Sequence, residues 1–231
     1  MIPLHDDIHT ELKPYVTIAL VIICLVVFLW QLSLGTAGQN AIVAFGAIAA
    51  VIFDYKQLPS ELSFIPVWMS IFTSLFLHGG WMHLISNLLF LWVFGNNVED
   101  AMGHKRFILF YLLCGVISVF AQLLPDPQST APLIGASGAI SGVLGAYVLL
   151  YPHARILVMV PIVIIMHTVR MPAYWVLGFW FFLQIFSSAA TGDQQGGVAW
   201  SAHIGGFIAG MILIPIFKKK NIPLFQPKNT E

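Results

Sequence analysis

Ser137 stands in the run Gly135-Ala136-Ser137-Gly138-Ala139-Ile140-Ser141-Gly142, a hydroxyl between glycines at the head of an apolar stretch that ends near Tyr151. A serine at a helix N-terminus, with uncrowded backbone on both sides, suits a nucleophile. The same residues have a plainer use, because small side chains let helices pack closely in lipid and Gly138 with Gly142 is a GxxxG pair. Three further polar groups bear on the choice. His83 and Asn87 are four residues apart and share a helical face, and His203 lies in Ala202-His203-Ile204-Gly205-Gly206. A serine attacks only when a base takes its proton, and a neutral histidine is the usual base. The tetrahedral intermediate of acyl transfer then needs donors for its oxyanion, which the Ser137 N–H, Asn87 and His83 can supply.

The elements that must position these groups are membrane helices. Of 231 residues 58% are hydrophobic and 9% charged, against about 25% charged in soluble domains. The chain therefore reads as an all-α integral membrane protein. Its net charge is zero, so no charge balance points to nucleic acid. Cys24 and Cys114 fall inside apolar runs and read as packing residues. Six spans are predicted, at residues 16–32, 81–98, 107–124, 133–151, 174–190 and 199–217. Before them is a polar N-terminal arm, residues 1–13, expected to be exposed. The domain runs over residues 14–217, and a basic tail over 218–231. The first span carries no clear cleavage site and is read as retained. In the long connection 33–80, the apolar piece 41–53 is too short to cross and fits a partly embedded interfacial helix. The stretch 156–165 is short and broken by Pro161, and the polar turn 192–197 precedes the last span.

Charge supports this count. With the N-terminus inside, nine of the ten basic residues are internal (Lys13, Lys105, Arg106, Arg155, Arg170, Lys218, Lys219, Lys220 and Lys228) and only Lys56 is external. A seventh span at 156–165 would carry Arg170 and the lysine cluster outside. The even-numbered spans then all begin on the outer side. His83, Asn87, Ser137 and His203 come within one or two turns of the same surface. Gly138, Gly142 and Gly145 on one span and Gly205, Gly206 and Gly210 on another allow close backbone approach, bringing Ser137 and His203 within reach of each other.

Taken singly, each group has a structural use: His203 as a helix-end residue at the headgroups, His83 and Asn87 as interhelical bridges. His78, His104, His153 and His167 read as structural or solvated, and the aromatic residues of the fifth span as lipid-facing. Other chemistries lack their residues. There is no His-Glu-x-x-His, no pair of aspartates within the spans, and no carboxylate in them beyond Glu99 at an inner end. No metal or cofactor is predicted.

With these residues in view, the chain resembles the rhomboid family of intramembrane serine proteases. The resemblance is carried by Leu77-His78-Gly79-Gly80-Trp81-Met82 with His83-x-x-x-Asn87, by Gly135-Ala136-Ser137-Gly138, and by Ala202-His203-Ile204-Gly205, in order from about Val67 to Phe217. Gly95-Asn96-Asn97-Val98-Glu99-Asp100 and the segment 173–184 extend it. It implies that Ser137 is the nucleophile and His203 the base of a dyad without an acidic third member. It further implies that His83, Asn87 and the Ser137 backbone line the oxyanion hole. The implied substrates are transmembrane segments of other proteins, cut near their outer ends, with the fifth span and the following loop as a gate. Two features depart from the pattern. Ser141 stands where some members have an aromatic residue that stacks on the histidine, so that support is absent or comes from elsewhere. The first long loop also lacks the Trp-Arg pair of some members. The expected setting is a bacterial-type plasma membrane with both termini cytoplasmic. The rival reading is a silent rhomboid-like protein that binds transmembrane clients.

Overall fold

A computed structural model of the chain describes residues 1–162, 165–191 and 198–227. The strand β1 (Ile2–His5) leads to α1 (Tyr15–Ser33), nineteen residues without a charged side chain. The long connection holds α2 (Gly38–Phe45), β2 (Ala47–Ile48), α3 (Ala49–Ile52) and α4 (Ser70–Thr73). The apolar piece at 41–53 is thus not one interfacial helix. The chain turns extended at Gly46, and β2 pairs with β3 (Pro132–Leu133), Ala47 opposite Leu133. That pairing ties the connection to the segment just before Ser137.

The bundle follows: α5 (Trp81–Met102), α6 (His104–Leu123), α7 (Ser137–Leu150), α8 (Ala173–Thr191) and α9 (Trp200–Phe217). Gly103, with φ of 81°, makes the turn from α5 to α6, a left-handed position that glycine occupies without a Cβ penalty. Among the described residues four helices are long and apolar enough to cross a membrane: α1, α6, α8 and α9. A fifth candidate forms if residues 67–76 and α5, which meet at an 80° bend, count as one broken span. The helix α7 is apolar but has only 14 residues. It is the hub of the bundle, buried without interruption from Gly138 to Tyr147.

The stretch 156–165 is not a span. Arg155–Ile162 forms β4, paired antiparallel with β5 (Ile165–Pro172), and β1 adds to the other edge of β4. The N-terminal arm is largely exposed, as expected, but it is docked, with Pro3 and Asp6 buried. Asp6 is buried, and its carboxylate accepts hydrogen bonds from Asn97 Nδ2 of α5 and the Tyr147 hydroxyl of α7. The described part of the tail is held as well. Phe225 and Gln226 donate backbone N–H groups to the carbonyls of Leu149 and Leu150, and Lys219 to that of Ala101, which satisfies free carbonyls at two helix ends. The predicted turn 192–197 and Lys228 lie outside the described residues.

Glu99 locks the start of α1. Its side chain is fully buried and accepts from Val16 N (2.9 Å), Thr17 N (2.8 Å), Thr17 Oγ1 (2.7 Å) and His104 Nδ1 (2.6 Å). A carboxylate at a helix N-terminus meets unpaired N–H groups and the positive end of the dipole.

Candidate active site

Ser137 and His203 come together because α7 and α9 touch backbone to backbone. A methyl group on Gly206 would overlap the Gly138 carbonyl oxygen, and one on Gly210 that of Gly142. One on Gly145 would strike the carbonyl of Phe207. Glycine at these positions is thus a requirement of contact and not of backbone freedom. It places the first residue of α7 beside the first turn of α9.

His203 Nε2 lies 2.7 Å from Ser137 Oγ, and its Nδ1 lies 2.8 Å from Gln184 Oε1 on α8. The amide of Gln184 has a defined sense, because its Nε2 donates to the Trp180 carbonyl at 3.1 Å. Its oxygen therefore faces the imidazole, and His203 carries its proton on Nδ1. The bare Nε2 is then free to accept the Ser137 hydroxyl proton, the tautomer a general base requires.

A second imidazole borders the same space. His83 Nδ1 accepts the Gly79 N–H at 3.3 Å, so its proton is on Nε2. That nitrogen faces Gly135: a Cβ there would lie 2.6 Å from His83 Nε2 and 3.7 Å from Ser137 Oγ. Gly135, with φ of 120°, is held by its N–H to the Ser74 carbonyl at 2.9 Å. Asn87 is one turn further along α5 and buried, and its Nδ2 has no hydrogen-bond partner among the described residues. An unpaired buried amide is costly, and a donor kept for a transient acceptor is one reason to keep it. The Ser137 N–H, first in α7, is likewise outside the helical ladder.

The approach to His83 is braced from α1. Gln31 brackets the His78 peptide, donating from Nε2 to its carbonyl (3.2 Å) and accepting its N–H at Oε1 (3.0 Å). His78 is buried with its ring 5.2 Å from that of His83, a structural role. His104, through Glu99, has one too.

Sequence reasoning missed Gln184 and Trp180. Gln184 is the one amide in a mostly apolar and aromatic run, and an amide in a span was the available signal. Trp180 answers the departure at Ser141. The Ser141 hydroxyl is turned back to the Ser137 carbonyl at 2.6 Å, while the Trp180 ring lies 6.0 Å from that of His203 at 35°. The aromatic residues of α8 are accordingly divided. Trp175, Phe179, Phe182 and Phe186 are exposed, whereas Phe181 stacks on Phe207 at 4.4 Å.

Residues 66–220 match the Rhomboid domain family. Rhomboid protein 1, mitochondrial, of Saccharomyces cerevisiae is 30% identical over 194 residues, which are 77% of this chain and 53% of that protein. Rhomboid protease GluP of Bacillus subtilis is 36% identical over 132 residues, 57% of this chain and 23% of its own. Presenilin-associated rhomboid-like protein A, mitochondrial, of Danio rerio is 26% identical over 140 residues, 54% and 37% of the two chains. The chain thus spans about half the length of the first of these relatives and less of the other two. The matched region runs from the approach to α5 to just past α9 and contains Ser137, His203, His83 and Asn87, and the chain belongs to the rhomboid family.

Proposed function

We propose that this protein is an intramembrane serine endopeptidase that cuts transmembrane segments of other membrane proteins near their outer ends. The observation that carries this reading is the pair of contacts on His203, 2.7 Å to Ser137 Oγ and 2.8 Å to Gln184 Oε1. Ser137 Oγ attacks the scissile carbonyl carbon while its proton passes to His203 Nε2. The negative charge that develops on the carbonyl oxygen meets the Ser137 N–H, Asn87 Nδ2 and His83 Nε2–H. His203 then protonates the leaving amine, the peptide bond breaks and an ester to Ser137 remains. Water, deprotonated by the same imidazole, releases it.

The depth of the reaction follows from helix length. The 14 residues of α7 reach about 21 Å at 1.5 Å per residue, short of a hydrocarbon core of about 30 Å. With the inner end of α7 held level with the α5–α6 junction by the tail, Ser137 lies below the outer surface. In this reading the bundle has six spans, α7 being the short one, and both termini are cytoplasmic. A substrate helix entering beside α8 displaces the element that bears Gln184 and Trp180, so entry and alignment of His203 are coupled.

The test is labelling by a fluorophosphonate probe in detergent, paired with cleavage of a single-span model substrate. Wild type is expected to label and to cleave, and Ser137→Ala and His203→Ala to do neither. Equal labelling of all three sinks the dyad. A folded wild type that binds the model span without labelling or cutting it is the client-binding relative instead.

A further inference from the structure

At the end of the bundle opposite Ser137, β1, β4 and β5 form one antiparallel sheet. One face, with Pro3, Ile156 and Val158, is buried. The other carries charge. Strand pairing sets His5, Leu157 and Arg170 side by side across the three strands. Arg155, two residues before Leu157, shares their face. The register irregularity between Pro3 and His5 is what turns His5 to this side. Residues 6–9 and the strands border a cavity of about 360 Å³, whose lining includes His5, Asp7, Ile8, His9, Arg155, Leu157 and Arg170.

Among the described residues the two guanidinium groups of this cavity are not ion-paired, whereas His5 Nδ1 lies 3.8 Å from Asp6 Oδ1. Asp6 also borders it, but its carboxylate is turned into the helices toward Asn97 and Tyr147. Asp7 accepts the backbone N–H of Arg155 at 2.7 Å. Among the described residues, neither the Arg155 nor the Arg170 guanidinium has a carboxylate within 4.0 Å. The cavity also has a definite level. Arg155 follows closely on the end of α7, Arg170 just precedes α8, and His9 shortly precedes α1. Since α1 and α8 are apolar enough to cross a membrane, the cavity lies where spans leave the hydrocarbon.

We propose that this cavity binds a phosphate-bearing anion, supplied by an anionic phospholipid headgroup of the adjoining leaflet or by free phosphate. Two guanidinium forks clamp the phosphate oxygens and the His5 and His9 rings add donors at the rim. The exposed apolar side chains Leu4 of β1 and Met166, on the Arg170 face of β5, suit an acyl chain beside the headgroup. The site is independent of the reaction at Ser137.

The experiment uses the full chain in detergent, with native mass spectrometry counting bound phosphatidylglycerol or phosphatidylcholine and calorimetry following inorganic phosphate. Wild type is expected to bind phosphatidylglycerol at least about tenfold more tightly than the double variant Arg155→Gln/Arg170→Gln. A triple Lys218→Gln/Lys219→Gln/Lys220→Gln variant is expected to match wild type. If phosphatidylglycerol binds and inorganic phosphate neither binds nor competes, the source is lipid. If inorganic phosphate binds wild type and not the double variant, the source is soluble and the cavity is the same. Unchanged binding in the double variant overturns the proposal, as does an equal loss in the lysine variant, which would mark general surface charge. Should the double variant unfold early, Arg155→Lys/Arg170→Lys keeps the charge without the fork. It is expected to bind with intermediate affinity, and binding equal to wild type overturns the clamp.

Discussion

Gln184 accepts the Nδ1 proton of His203 at 2.8 Å, while its own amide is held by the Trp180 carbonyl. The contact fixes the ring's tautomer and aims Nε2 at Ser137, as an acidic third member would, but without placing a charge in the membrane. Gln184→Leu keeps the volume and removes the acceptor. It is expected to lower kcat for a model span by about tenfold to a hundredfold, part of the contribution of a general base, with KM nearly unchanged. Gln184→Glu restores an acceptor and is expected to recover most of that loss. A KM effect without a kcat effect would mark Gln184 as a packing residue.

The glycines between α7 and α9 make a stricter demand than packing in general. A methyl group on Gly206 or Gly210 meets a carbonyl oxygen of the facing backbone and not a side chain that can rotate away. Gly206→Ala and Gly210→Ala are each expected to lower stability by about 1–3 kcal/mol, the range for overpacking. They are also expected to lose most fluorophosphonate labelling, since the first residue of α7 moves relative to His203. Gly178, which has nothing near a built Cβ, is the control: Gly178→Ala is expected to leave labelling unchanged. Thermal unfolding and labelling, read on the same samples, separate the two effects.

Asn87 and His83 separate binding from catalysis. Neither touches the Ser137–His203 hydrogen bond, so Asn87→Ala is expected to preserve the fold. The loss of one oxyanion donor is expected to cost about 10²–10³ in kcat. His83→Ala removes a donor and also the acceptor of the Gly79 N–H, so its loss is expected to be at least as large and to come with a lower unfolding temperature. Steady-state cleavage of a single-span substrate measures both, and an Asn87→Ala enzyme with wild-type kcat removes Asn87 from the oxyanion site.

What could be read from the sequence and what could not divide along physical lines. Ser137, His203, His83 and Asn87 could be read as candidates because polar side chains are rare in apolar runs, and the topology expected from the sequence brings their helix ends to one level. The α7–α9 approach was legible because glycine in a span has few other uses. Gln184 was not, since its partner lies 19 residues away on another helix and no periodicity links them. The docked arm was hidden for the same reason. Asp6 meets partners 91 and 141 residues distant, and a polar segment of 13 residues carries no local signal of such burial. At 41–53 the helical pattern was real, but pairing of Ala47 and Ile48 with β3 overrides it.

Glu99 closes the far end of the bundle with four donors on one buried carboxylate. Glu99→Gln replaces one acceptor oxygen by an NH₂ group that faces donors. The expected cost is about 3 kcal/mol, as for breaking a buried charge-assisted network. Because the Thr17 and Val16 N–H groups belong to the first turn of α1, hydrogen exchange there is expected to speed up before the rest of the bundle opens. Unchanged unfolding of Glu99→Gln would show that the α1 N-terminus is held by packing alone.

The Asp6 latch carries a pH dependence whose sign follows from its burial. Desolvation pushes the Asp6 carboxyl up from 3.8 to about 6, against the lowering effect of the Tyr147 hydrogen bond and of His5, with Asp7 adding to the rise. The docked arm thus holds its proton more tightly than the undocked arm. Docking is strongest below pH 3.8 and weakens as the pH rises through about 6, by an amount on the order of 2–3 kcal/mol. Hydrogen exchange over residues 2–9, corrected for its intrinsic pH dependence, is expected to show less protection at pH 7.5 than at pH 5. Asp6→Asn keeps an acceptor for Asn97 and Tyr147 but cannot ionise, so its protection is expected to be nearly level across that window. A wild-type profile as flat as that of Asp6→Asn would mean that Asp6 stays charged when docked, with its two donors fully offsetting the loss of water.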